Sequence, residues 1–208
     1  MNDEKIKALW KWFLDNERHI RKCVENDSSP HRKYIVDSLD NLVLDMGRFS
    51  WQIGPGTQRP WFLTISPNGD RELMTVSKEI MSNAPDLDDW EFNYCRPAKN
   101  WDREFSLYDD NMIQQKINAS NWKCIALNSE GGIEIMLEAD NIAHLDNETA
   151  RTAADIVVIN EIGEEAKILN VCSVAIVAQL ESTYDSRKTE IKNLRKHLYE
   201  ISNAGRKS

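Results

Sequence analysis

Phe49-Ser50-Trp51-Gln52-Ile53, Gly54-Pro55-Gly56 and then Trp61-Phe62-Leu63-Thr64-Ile65 mark the place where apolar side chains change their spacing. Phe49, Trp51 and Ile53 alternate with polar Ser50 and Gln52. Trp61, Leu63 and Ile65 repeat the alternation after the turn. A period of two turns one face of each stretch inward, so this segment predicts two paired strands.

Upstream the period is helical. Ile6, Leu9, Trp10, Phe13, Ile20 and Val24 recur at steps of one, three, four and seven, which puts them on one stripe. Asp27-Ser28-Ser29-Pro30 breaks that helix and predicts a second, with a serine N-cap and Pro30 at its first helical position. Ile35, Leu39, Leu42, Val43 and Met46 form its apolar face, and Gly47 ends it. Neither stripe can be buried alone, so residues 1–48 are expected to form a helical pair.

Downstream, Ser66-Pro67-Asn68-Gly69-Asp70 closes the second strand and opens a helix lined by Leu73, Val76 and Ile80. Trp90, Phe92 and Tyr94 predict a strand. Phe105 and Leu107 predict another, with a turn at Asp109-Asp110-Asn111 and a weaker stretch over 112–117. Trp122, Cys124 and Ala126 lead through Ser129-Glu130-Gly131-Gly132 into Ile133, Ile135 and Leu137, a hairpin. Asp146-Asn147 caps a helix carrying Ala150, Ala153, Ala154, Val157, Val158 and Ile162, with Gly163 past its end. The apolar Val171–Val177 run predicts a buried strand, and residues 186–203 predict a last helix with Ile191, Leu194, Leu198 and Ile201 on one face.

This order predicts an α+β fold with a mixed, mainly antiparallel sheet and helices on one face. Its β-α-β…β-α-β skeleton is ferredoxin-like, enlarged by meander strands. Three segments are expected: the helical pair at 1–48, one α+β domain at 49–180 around a shared interior, and an amphipathic helix with a frayed tail at 181–208.

Composition narrows the function classes. The 208 residues are 41% apolar, enough for a sizeable core, and 29% charged. Net charge is −8, with zero over 1–48, −11 over 49–180 and +3 over 181–208. An acidic body repels phosphate, so no nucleic-acid partner is expected. No apolar run suits a membrane span and no secretory leader is apparent, so the expected location is the cytoplasm. Four cysteines without clipped pairs fit reduced thiols.

The segments Trp10-Lys11-Trp12-Phe13, Trp51 to Gly56, Thr64 to Leu73, Ala84 to Phe92 and Arg96-Pro97 together resemble a group of uncharacterised bacterial proteins. The resemblance covers about residues 8–178. It implies a bacterial cytosolic α+β domain and brings no activity with it.

No catalytic signature emerges, and no cofactor is expected. Cys95 beside Arg96 is a weak nucleophile candidate. His19 and Cys23, at i and i+4, could form half a metal site, completed by His31 or a carboxylate. Asp86-Leu87-Asp88-Asp89 and Asp109-Asp110-Asn111 lack the offsets of a calcium loop and fit turns better. Gly54-Pro55-Gly56 lacks the lysine and helix of a phosphate-binding loop. The seven tryptophans are the compositional oddity. Most are expected in the core. Trp12, off its helix stripe, and Trp101, in a polar loop, either cap the core or recognise a protein partner with Tyr94, Arg96 and Lys99.

Two readings follow. The first is a non-enzymatic interaction or regulatory module, which predicts an exposed aromatic patch. The second is a small-molecule binder or enzyme with a pocket between the sheet and the N-terminal helices. A homodimer through the C-terminal helix is a further expectation.

Overall fold

The computed structural model describes residues 2–26 and 28–204. The chain is α+β with mixed, mainly antiparallel sheets, as the alternation predicts. It divides into two compact units, Met1–Arg96 and Pro97–Ser208, each with its own apolar cluster. This corrects the expected single interior over 49–180. It also corrects the ferredoxin-like skeleton, because the two β-α-β crossovers lie in separate sheets.

In unit 1, α1 (Asn2–Glu25) and α2 (Arg32–Leu44) precede β1 (Ser50–Pro55) and β2 (Trp61–Ser66). Then come α3 (Arg71–Ser82) and β3 (Trp90–Asn93). The sheet order is β1-β2-β3, with β1 antiparallel and β3 parallel to β2. Ile6, Leu9, Trp10, Phe13 and Ile20 of α1 are all buried, as the stripe requires. So are Ile35, Leu39 and Val43 of α2. The predicted serine cap does not form: His31 occupies the N-cap without a side-chain bond, and helix begins at Arg32, two residues after Pro30. On α3 the Asp70 carboxylate accepts from the N–H groups of Glu72 and Leu73, which satisfies two of the helix's free donors.

The unit 1 core is aromatic. Phe13 meets Trp90 edge-on at 4.8 Å between ring centroids and Phe92 at 5.6 Å, while Trp10 meets Phe92 at 5.0 Å. Buried tryptophans need an acceptor for their N–H. Trp10 donates to the Ile80 carbonyl at 2.9 Å, Trp90 to Glu17 at 2.7 Å and Trp51 to Asp40 at 2.7 Å. Glu17 in turn pairs with Arg21, which reaches Asp89 at 2.9 Å.

Between β1 and β2 the loop closes on a carboxylate. The N–H groups of Thr57, Gln58 and Arg59 all donate to Oε1 of Glu91. Burial pushes the Glu91 carboxyl up, but these three donors together hold it below its ordinary range. A Cβ at Gly56 would run into the Arg59 carbonyl and lie 2.7 Å from the same carboxylate oxygen, so the position requires glycine.

Unit 2 holds β4 (Glu104–Tyr108) paired with β5 (Gln114–Asn118), then β6 (Lys123–Ser129) and β7 (Gly132–Glu138). After α4 (Asn147–Ile162) and α5 (Glu164–Asn170) come β8 (Val171–Val177), β9 (Thr189–Glu190) and α6 (Leu194–Ala204). The larger sheet runs β8-β7-β6-β9, with only β8 parallel to its neighbour. Its inner face (Cys124, Ala126, Ile133, Ile135, Leu137) packs with Ala153, Val157 and Val158 of α4 and with Leu194 and Leu198 of α6.

Three sequence expectations change here. β8 is an edge strand in which Cys172, Ser173, Ala175 and Val177 are exposed, so it is not buried on both faces. The last helix starts at Leu194, because Thr189 and Glu190 pair with β6 first. Its seam of Ile191, Leu194 and Leu198 is buried within unit 2, so the expected homodimer through this helix has no free apolar seam there. The tail at 205–208 lies outside the described residues.

Candidate functional site

The residues expected to recognise a partner fall in both units. Tyr94 and Arg96 belong to unit 1, while Lys99 and Trp101 belong to unit 2. The Lys78 ammonium lies 4.8 Å from the half-buried Tyr94 ring. Arg96 is half-buried, and of these residues only Lys99 is exposed. Trp101 packs against the unit 2 core beside Phe105 and donates to Glu161 at 2.9 Å. Arg103 closes the cluster with an Nε–Oε1 ion pair of 2.8 Å to the same buried carboxylate. Trp12 is half-buried against the unit 1 core, and its Nε1 is buried without a partner.

The His19 ring of α1 and the ring of His31, at the N-cap of α2, stand 4.4 Å apart. Cys23 is instead directed at Ser29, 3.5 Å away, and no group of three metal-ligating side chains occurs among the described residues. The acidic stretches are turns. Asp89 pairs with Arg21, and Asp109 accepts from the N–H groups of Asn111 and Ile113.

Cys95 is buried, as are Cys23 and Cys124; Cys172 is exposed. Burial, and then the charge of Glu161, push the Cys124 thiol up to about 12. A thiol needs its thiolate to react. In the native protein at pH 8, a disulfide reagent should therefore modify Cys172 well ahead of the other three. All four should react in guanidinium. Equal rates for Cys124 and Cys172, resolved by peptide mapping, would contradict the burial pattern.

A small groove in unit 1 is lined by Ile20, Cys23 and Val24 of α1, Ile35 and Val36 of α2, and Trp51 and Ile53 of β1. It lies where the second reading places a pocket, but its volume is only about 200 Å³. A far larger cavity, about 640 Å³, opens in unit 2 at the ends of β5, β6 and β7. Asn118, Asn121, Lys123, Glu138, Asp140, Asn141 and Gln179 line it, with Trp122 in its wall.

These groups divide into a frame and a set of open contacts. In the frame, Trp122 donates to Asn141 Oδ1 at 2.8 Å, and Asn141 donates to the Asn118 carbonyl at 2.8 Å. Asn118 itself is held by Glu104 and Ser120. These bonds fix both asparagines before any ligand arrives. Asn121, Asp140 and Gln179 are exposed, and their side chains make no hydrogen bond to the described residues, which leaves them open to a ligand. Between the sets stands Glu138, which accepts from the Leu180 N–H at 2.9 Å and pairs with Lys123 at 3.4 Å and Lys188 at 3.5 Å.

The Leu180 N–H, followed by the two lysines, holds the Glu138 carboxyl below its ordinary range. Glu138 is thus ionised at neutral pH with its charge compensated. A depressed carboxylate stabilises the fold above its unfolded value, 4.5, and that contribution disappears as pH falls through the lower folded value. Glu138→Gln should therefore be less stable than the parent chain at pH 7, and the gap should narrow at pH 3. A gap that stays constant, measured by urea unfolding at both pH values, would contradict this assignment.

Comparison with protein-family models, with curated proteins and with solved structures finds no match. The resemblance to uncharacterised bacterial proteins has no counterpart among them. No helix among the described residues is long and apolar enough to cross a membrane.

Proposed function

We propose that this is a small-molecule-binding protein whose site is the unit 2 cavity, and that its ligand is small, neutral and rich in hydroxyl groups. The observation that carries this reading is the pairing of a 640 Å³ concavity with the unengaged side chains of Asn121, Asp140 and Gln179. That volume falls in the range of about 300–1,000 Å³ common for ligand sites.

The chemistry of the lining supports the ligand class. A hydroxyl both donates and accepts, and amide side chains answer both needs while carboxylates accept the hydroxyl's hydrogen bond. Glu138 is balanced by lysines, which leaves Asp140 as the uncompensated charge of the lining. An anionic ligand would meet that charge directly. Four free thiols and no disulfide support the cytoplasmic setting that the sequence suggests.

Titration calorimetry with monosaccharides, inositol and linear polyols tests the proposal, with inorganic phosphate and adenosine monophosphate as controls. At least one hydroxylated probe should bind and raise the melting temperature. Asp140→Ala should weaken that probe about tenfold, the loss of roughly one charged hydrogen bond, and leave the melting temperature of the free protein unchanged. Binding of the phosphates alone, or equal affinity in Asp140→Ala, would overturn the reading.

A further inference from the structure

The four-stranded sheet of unit 2 ends in two very different edges. On one side, β9 is two residues long and flanked by charge: Lys188 pairs with Glu138 and Asp185, and Lys192 pairs with Glu190. Short, charged edges resist strand addition. On the other side, β8 presents seven residues, Val171-Cys172-Ser173-Val174-Ala175-Ile176-Val177, with no charge and no proline. Leu169 and Val177 flank this edge and are 42% and 36% exposed, among the large apolar side chains left in solvent. A long uncharged edge with free backbone donors and acceptors is a template for another strand.

We infer that β8 is the docking edge for a second copy of this chain, with the two β8 strands pairing antiparallel about a two-fold axis at Ala175. The burial pattern selects the register. A bulge between the pairs Ile133–Val171 and Glu134–Ser173 leaves 173–177 as the regular run. Within it Ser173, Ala175 and Val177 are exposed, while Val174 and Ile176 are half-buried. Residues directly opposite in an antiparallel pair point to the same face. Centring on Ala175 sets Ser173 against Val177 and Val174 against Ile176, so both faces continue across the junction. Centring on Val174 would oppose exposed Cys172 to half-buried Ile176 and break the pattern.

The occupant follows from the same strand. An edge without charge cannot select an acidic or basic partner strand, but it matches itself in polarity, length and face. Because the same edge meets itself, the assembly closes at two copies and leaves the charged β9 edges outermost.

Analytical ultracentrifugation of the full chain at micromolar concentrations tests this. The parent chain should sediment at twice the mass of one chain. Ala175→Lys places two ammonium groups opposite each other, and should raise the dimer dissociation constant about 100-fold while melting cooperatively. Val177→Lys, opposite Ser173, is the second variant should the first not fold. Tyr199→Lys on α6, at a side chain 72% exposed, should leave the dimer intact. A parent chain that sediments singly overturns the inference. So does a dimer unaffected by the folded β8 variants, or one that Tyr199→Lys dissociates.

Discussion

Replacing Phe13 by alanine should destabilise the protein by about 4 kcal/mol, the middle of the range for emptying a buried aromatic site. Phe13 is fully buried on α1 and meets three rings edge-on: Trp10, Trp90 and Phe92. Those rings come from a helix and a strand roughly 80 positions apart in the chain, so they have little freedom to close over the vacancy. Phe13→Leu keeps most of the volume and should cost about 1.5 kcal/mol. Urea unfolding followed by circular dichroism measures both. An alanine variant no worse than the leucine variant would show that the cluster is not tightly packed.

Glu161→Ala should cost about 3 kcal/mol, the low end for breaking a buried charge pair. The Glu161 side chain is 5% exposed, whereas its partner Arg103 is 21% exposed, so water recovers part of the loss on the arginine side. Without the carboxylate, the Trp101 N–H and the Arg103 guanidinium both lose their acceptor. Arg103, with φ at 67°, sits in backbone that this pair helps to hold. Glu161→Gln keeps an acceptor for Trp101 but loses the charge, and should fall between parent and alanine. A loss below about 1 kcal/mol for Glu161→Ala would mean that the pair is worth no more than a surface contact.

Apart from α5 and β9, the order of helices and strands was legible because apolar spacing is a local property. The change of period at Phe49 and the Asp70 and Asp146 caps each lie within a few residues of what they control. The division into two cores was not legible. Trp90 and Trp122 look alike in a periodicity argument, yet they pack in different clusters. Spacing says that a face is buried, not against what. β8 escaped for a related reason: Cys, Ala and Val are apolar enough to suggest burial, but small enough to be tolerated in water at an edge. For Trp101 the sequence left core-capping and surface recognition both open, because its hydrogen-bond acceptor Glu161 lies 60 positions away and leaves no mark in the local spacing.

The candidate site was the least legible part. Asn118 ends a strand of the β4-β5 pair, while Asp140 and Gln179 follow strands of the four-stranded sheet, with no spacing to connect them. Asn and Asp beside strand ends are ordinary turn chemistry, so their types carried no signal alone. Only the strand pairing, which sets the ends of β6 and β7 side by side, reveals the concavity.

The loop that follows Gly54 lacks every sequence mark of a phosphate cradle, yet its three consecutive amides converge on one anionic oxygen. The anion is supplied from within, by a strand 34 residues away from the first of those amides. A tethered guest outcompetes dissolved ones because its local concentration is fixed by the fold, in the millimolar range or above for short tethers. The receptor therefore arrives already filled. Sulfate or phosphate in the cell has no purchase there unless Glu91 is first removed.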